Sequence, residues 1–167
     1  MAVRQVIKWG DPRLKNANQD IEKWNPDLDR LVSDMFETIT AHEGVGLAAP
    51  QIGININLAV IDLSGGADPA QKTVLINPEI IKEEGHQAES EGCLSIPGIQ
   101  ETLKRPMRVW VRNHKPDGSQ EEVEGEGFLA RALCHEIDHL RGRLFVEHFG
   151  AVRRSIIQRK YQKQNRD

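Results

Sequence analysis

The sequence has few cysteines and no long apolar run. Its 167 residues include two cysteines, and no segment approaches the roughly 18 consecutive apolar residues of a membrane span. The first ten residues lack the apolar core of a secretory signal. We therefore expect a cytoplasmic protein with no membrane attachment, in which Cys93 and Cys134 stay reduced and serve as a metal ligand, a nucleophile or core residues.

The chain also lacks a strong net charge, internal repeats, long linkers and low-complexity segments. Its formal net charge is -3, which gives no global attraction to nucleic acid or to an anionic membrane surface. A chain of this length typically buries about 70% of its unfolded surface on folding. These features predict one globular domain over residues 1–167.

Hydrophobic periodicity predicts three helices separated by short strands. The first helix has an Asn25 cap, Pro26 at its first position and apolar residues three and four apart, and Gly44 ends it. The predicted strands are 54–63, 73–81 and 107–113, a turn is predicted at 115–118, and the remaining helices are predicted at about 127–141 and 151–163. We expect an α+β fold with mainly antiparallel strands around a central buried helix, between an N-terminal and a C-terminal helix.

The segment from His135 to His139 is the strongest chemical signal. Histidines four apart on a helix project from one face and can share a metal ion, with Glu136 beside them to handle protons. The same face carries Ala132, which leaves space beside the metal, and Phe128, a candidate wall of an apolar substrate pocket. A chance histidine pair on a surface helix is the alternative. A buried helix with these polar groups and no metal would, however, need other partners for them.

A catalytic site of this type has a third protein ligand and an open position for water. The metzincin pattern requires a third histidine where this chain has Phe145, and a thermolysin-like downstream glutamate has only Glu147 as a poorly placed candidate. Cys93 is the better candidate, because it lies in a loop or strand end of small residues from which a thiolate could approach the helix. Cys134 directly precedes His135, so its side chain lies about 100° off the metal face, and we expect it to pack in the core.

The loop of residues 44–51 contains too few glycines for a phosphate-binding loop, so no nucleotide cofactor is expected. Its small residues would let backbone groups approach a peptide, and Gln51 offers an amide donor for an oxyanion. A helix end followed by a packed turn would explain Gly44 and Gly46 equally well.

Three segments together resemble the peptide deformylase family: Gly-x-Gly-x-Ala-Ala-x-Gln at 44–51, Glu-Gly-Cys-Leu-Ser at 91–95, and His-Glu-x-x-His at 135–139. The opening residues 10–14 are also similar to the start of that family. The resemblance implies a metal-dependent amidohydrolase that removes the formyl group from the N-terminal methionine of nascent peptides and releases formate. One departure is Cys134, which stands where family members often have glutamine.

The resemblance also implies the roles of individual residues. Cys93, His135 and His139 would bind one divalent ion, Fe²⁺ physiologically, with Zn²⁺, Ni²⁺ or Co²⁺ as substitutes. Glu136 would act as general base and acid, and Gln51 with the Leu94 backbone N–H would hold the oxyanion. The substrate-binding residues implied or expected are Val45, Gly46, Gly92, Leu94, Phe128 and Ala132.

Two rival functions stay open on the sequence alone. An endopeptidase could use the same helix, and a structural metal module or a ribosome-associated binding protein could hold a closed site, with His148 as the nearest spare fourth ligand. The C-terminal segment is locally basic and is a candidate for a transient ribosome contact. Its cationic residues are Arg153, Arg154, Arg159, Lys160, Lys163 and Arg166.

Overall fold

The computed structural model describes residues 2–165, so Arg166 of the basic segment lies outside the described residues. This part of the chain holds three α-helices: α1 Pro26–Ala41, α2 Phe128–Leu140 and α3 Ala151–Gln164. It also holds eight strands, which are β1 Gly46–Ala48, β2 Leu58–Asp62, β3 Lys72–Ile76, β4 Glu79–Glu84, β5 Gln87–Cys93, β6 Ile96–Arg105, β7 Arg108–His114 and β8 Gln120–Glu126.

Helix α1 begins as its sequence predicts. The Asn25 side chain accepts a hydrogen bond from the Leu28 N–H at 3.1 Å, and Pro26 occupies the first helical position, where no N–H is needed. Met35 and Ile39 are buried against the first sheet. The helix ends at Ala41 and not at the predicted Gly44.

The strands form three antiparallel groups in the described residues. One sheet has the order β1-β2-β3, a second has the order β4-β7-β8, and β5 pairs with β6. The turn at residues 115–118 joins β7 to β8, with Gly118 at a φ of 88°. The predicted α+β class with antiparallel pairing is confirmed.

The predicted strand boundaries are only partly correct. The predicted strand 107–113 matches β7, whereas strand 54–63 shortens to β2. The predicted strand 73–81 is two strands, because Asn77 adopts a φ of 47° and Pro78 offers no N–H to a ladder. Strand β6 was not predicted, and in place of β5 the sequence indicated only a loop or strand end at residues 91–95.

Helix α2 is the centre of the molecule. Leu133, Ile137 and Leu140 are at most 5% exposed and pack in one cluster with Val109 and Val111 of β7. Burial of such side chains contributes about 1.5–3 kcal/mol each. The opposite face of α2 is thereby held towards β1 and β5, where it presents its histidines.

A membrane-crossing helix is not found among residues 2–165, since none there is both long enough and apolar enough.

Candidate metal centre and substrate cavity

Two distant parts of the chain supply one cluster of ligand atoms. His135 and His139 are one turn apart on α2, and Cys93 is the last residue of β5, beyond an irregularity in its pairing with β6. The two Nε2 atoms are 3.2 Å apart, and Cys93 Sγ is 3.3 Å from His139 Nε2. All three ligand atoms lie within 4.8 Å of one another.

This donor set fits a divalent metal ion. Bonds of about 2.0–2.3 Å around a tetrahedral ion place neighbouring ligand atoms about 3.3–3.6 Å apart, close to the separations just given. Thiolate and imidazole together suit zinc or ferrous iron. Among residues 2–165 the cluster consists of the Cys93 sulfur and the two imidazoles, a three-ligand set of the kind that leaves a catalytic ion one position for water or substrate.

The two cysteines have opposite chemistry. Burial opposes ionisation of the Cys93 thiol. Its pKa is nevertheless lowered to about 5 by the charge of His139, by hydrogen bonds to both histidines and by the charge of His135. Burial raises the pKa of Cys134 to about 12. The Cys93 thiol therefore ionises readily, as metal binding requires, whereas the thiol of Cys134 stays protonated in the core, as its position on the helix predicts.

Glu136 lies beside the cluster and faces β1. It is 3% exposed, and its Oε1 is buried without a hydrogen-bond partner in the structure. Burial raises the pKa of its carboxyl group to about 6, against the effect of the two histidines. A Cβ atom on Gly46 would lie 2.5 Å from Glu136 Oε2, so only glycine at position 46 leaves room for the carboxylate.

Gln51 is held in one orientation at the same site. Its Oε1 accepts a hydrogen bond from the Ala48 N–H at 2.9 Å, and its Nε2 donates to Ser95 Oγ at 3.1 Å. The same Nε2 is 3.5 Å from Cys93 Sγ. The amide donor therefore points at the cluster, while Leu94 follows Cys93 in the turn between β5 and β6.

A network of charged side chains contacts His135 at Nδ1, the ring nitrogen that faces away from the cluster. Glu91 Oε1 is 2.9 Å from His135 Nδ1, which leaves Nε2 for the cluster. Arg105 donates to both Glu91 oxygens, at 3.0 and 3.3 Å, and to Asp138 Oδ2 at 2.8 Å. Burial opposes ionisation of Glu91, but His135 and Arg105 lower its pKa.

His148 does not join the metal ligands. Its Nε2 is 2.7 Å from Asp138 Oδ2, at the outer end of that network. The group that could hold a metal ion among residues 2–165 consists of Cys93, His135 and His139, without His148. The closed four-ligand site that the structural-module rival requires is therefore not formed through His148.

A cavity of about 690 Å³ opens onto the cluster. It is lined by every residue that was predicted to touch the substrate: Val45, Gly46, Gly92, Leu94, Phe128 and Ala132. Phe128 is 52% exposed, so it stands at the rim and is not an inner wall. The contacts of these six residues with substrate stay predictions.

The sequence reasoning missed three charged residues at the site. Glu91 lies within the Glu-Gly-Cys-Leu-Ser motif, and a carboxylate two residues before a ligand could have been read as a partner of a metal histidine. Arg105 and Arg131 carry no such signal, because only the pairing of β5 with β6 and the docking of α2 bring them to the site.

A Cys-His-His donor set at the base of a cavity, with a buried carboxylate and an oriented amide beside it, defines a metal-dependent hydrolase. The family model of polypeptide deformylases matches residues 3–155. A peptide deformylase of Acidobacterium capsulatum is 47% identical over 166 residues, which cover 99% of this chain and 98% of that relative. One of Caldanaerobacter subterraneus subsp. tengcongensis is 48% identical over 88% of this chain and 89% of that relative.

Solved structures agree with this similarity. A peptide deformylase from Legionella pneumophila superposes with a TM-score of 0.92 at 41% identity and covers 99% of this chain and 96% of its own. The enzyme from Ehrlichia chaffeensis in complex with actinonin gives a TM-score of 0.89 at 32% identity, with all of both chains covered. The chain therefore belongs to the peptide deformylase family, metal-dependent hydrolases that remove the N-formyl group from nascent peptides.

Proposed function

We propose that Cys93, His135 and His139 hold the catalytic ion and that Glu136 carries out the proton transfers of deformylation. The observation that supports this most directly is the convergence of the three ligand atoms beside a buried, unpartnered carboxylate. A bound divalent ion would polarise the formyl carbonyl and lower the pKa of a water molecule.

The remaining chemistry belongs to side-chain and backbone groups of this protein. Glu136 accepts a proton from the attacking water and returns it to the leaving amine of methionine, a role suited to a carboxyl group whose pKa is about 6. The Gln51 amide and the Leu94 N–H donate to the oxygen that becomes negative in the transition state. Formate and a free N-terminal amine result.

The cavity supports the proposed placement of the peptide. Gly46 and Gly92 expose backbone groups along it, which suits an extended formyl-peptide, and Val45 and Leu94 line the approach. The methionine side chain lies along Ala132 towards Phe128 at the rim. We further propose that residues 1–167 form one catalytic domain, a boundary consistent with the family match over residues 3–155.

We propose Fe²⁺ as the physiological ion. A thiolate with two imidazoles accepts iron as well as zinc, and iron binds more weakly in the usual order of affinities. Zinc, nickel or cobalt would therefore replace iron in protein purified in air. This exchange explains why metal content and activity have to be measured on the same sample.

Metal removal is expected to abolish the reaction. Under anaerobic conditions, the protein should release formate from a formyl-Met tripeptide, a chelator should stop the release, and added Fe²⁺ should restore it. Cys93→Ser should lose bound metal and turnover together, because a neutral hydroxyl replaces the thiolate.

Cys134→Ser is the matched control, since it makes the same change one residue from His135 but outside the cluster. It should keep metal content near that of the unaltered protein. Equal metal loss in both variants, or formate release that survives full chelation, would contradict the ligand assignment. Cleavage of blocked internal peptides without formate would favour the endopeptidase rival.

We also propose that α3 makes a transient contact with the ribosome. Ile157 is 2% exposed and Tyr161 packs on Trp9 with ring centroids 5.3 Å apart, so one face of the helix is docked. The other face is exposed and cationic, and it also exposes Val152 and Ile156. Such a face suits a polyanionic surface.

Charge reversal is expected to weaken this contact. The double variant R159E/K160E should sediment less with ribosomes than the unaltered protein does, and binding of the latter should fall steeply as salt rises. Reversal of Lys23 and Arg30, exposed cations elsewhere, is the control. Absent or salt-insensitive binding would refute the proposal.

A further inference from the structure

Arg131 projects from the first turns of α2 into the wall of the cavity. The residue is 8% exposed, and its Nη2 donates to the backbone carbonyl of Ser90 in β5. Its guanidinium carbon lies 5.8 Å from the centre of the Phe128 ring. The cationic group is therefore fixed between the rim of the cavity and one edge of β5.

The charge of Arg131 is not compensated within the described residues. No carboxylate among residues 2–165 lies within salt-bridge distance of it, and its Nε is buried without a hydrogen-bond partner. The other buried arginine of the site, Arg105, is clamped between Glu91 and Asp138. Because a buried charge is costly unless it is paired, Arg131 is a site that an incoming anion would stabilise.

The position of Arg131 in the cavity indicates which residue of a bound formyl-peptide it would contact. Strand β5 pairs with β6 along one edge, and Ser90, Gly92 and Cys93 all line the cavity. In the placement proposed above, with the formyl group at Cys93 and the methionine backbone at Gly92, the following residues would run along β5 towards Ser90. An extended chain advances about 3.3 Å per residue, so the second or third residue of the substrate reaches Arg131.

We propose that Arg131 determines specificity by binding an aspartate or glutamate side chain at the second or third residue of the formylated peptide. This inference rests on the proposed placement of the substrate. The guanidinium group has a planar set of donors that matches a carboxylate, and hydrogen bonds in which both partners are charged are the stronger ones. The same contact would satisfy the charge that the protein leaves unpaired.

The test compares formyl-Met peptides that differ by one charge. Glu is compared with Gln at position two and at position three, in peptides with amidated C-termini, so that only the side chain adds negative charge. We expect kcat/KM of the unaltered protein to be about tenfold higher for Glu than for Gln at one of these positions, an effect of about 1.4 kcal/mol. The ratio should fall as salt screens the charges.

Substitutions at Arg131 then assign the preference to this residue. Arg131→Gln should bring the ratio near one while the Gln peptides are still processed, and Arg131→Lys should retain part of it. Lys8→Gln removes another cation that lines the cavity and should keep the ratio. A ratio near one in the unaltered protein, or an unchanged ratio in Arg131→Gln, would overturn the proposal. Failure to process any formyl peptide would instead overturn the proposed function.

Discussion

Replacing Glu136 with Gln is expected to lower kcat by about 10²- to 10⁴-fold, the range that general acid-base catalysis contributes. The amide has the same shape as the carboxyl group but cannot accept the proton of the attacking water. Glu136 is 3% exposed and forms no hydrogen bond with Cys93, His135 or His139, so the exchange should leave the fold and the bound metal in place. Turnover is measured per bound metal ion, by formate release under anaerobic conditions.

Glu89→Gln is the matched control for this variant. It makes the same chemical change at an exposed position of β5 that does not line the cavity, so its kcat should stay within about twofold. Near-normal turnover in the Glu136 variant at full metal content would show that another group transfers the proton.

The histidine pair could be predicted from sequence because its geometry is local. A spacing of four on a helix places both side chains on one face whatever the rest of the fold does, and apolar residues on the other face predict burial. The α+β class followed from similarly local patterns. The helix bounds consequently differ from the prediction by three residues at most, at the end of α1.

The approach of Cys93 to that helix depends on non-local pairing. Strand β5 reads Gln-Ala-Glu-Ser-Glu-Gly-Cys, which has neither the β-branched residues nor the apolar alternation of a typical strand. This segment is a strand because it pairs with β6, and the pairing directs the Glu91 side chain towards His135. The motif marked Cys93 as a candidate ligand, but the hairpin that brings it to the histidines could not be derived from propensities.

The charged network behind His135 is the least predictable part of the site. Arg105 lies 14 residues from Glu91 in the chain, and no motif marks it. Antiparallel pairing and the docking of α2 place its planar group between Glu91 and Asp138. The number of charges in this small volume makes the network the second place where a single substitution should have a large effect.

Arg105→Leu is expected to destabilise the metal-free protein by about 3–5 kcal/mol, the usual result of removing one partner from a buried ion pair. The Arg105 side chain is 4% exposed, and its loss leaves the buried Glu91 and the partly buried Asp138 as neighbouring negative charges. For a domain of this size each kcal/mol lowers the melting temperature by about 2–4 °C. Thermal denaturation after chelation should therefore show a decrease of about 6–20 °C.

The same variant should bind its metal about 10- to 100-fold more weakly, because partners that orient a ligating histidine contribute that much to affinity. Glu91 is held by Arg105, and Glu91 in turn fixes the Nδ1 side of His135.

Arg112→Leu is the control: it breaks the exposed pair with Glu79 and should change stability by at most about 1 kcal/mol. Arg105→Lys keeps the charge but cannot donate to both carboxylates in the same plane. Its melting temperature should therefore lie between those of Arg105→Leu and the unaltered protein. If Arg105→Leu has the same melting temperature as Arg112→Leu and retains its metal, then packing around α2 alone orients His135. The charged network would then not support His135.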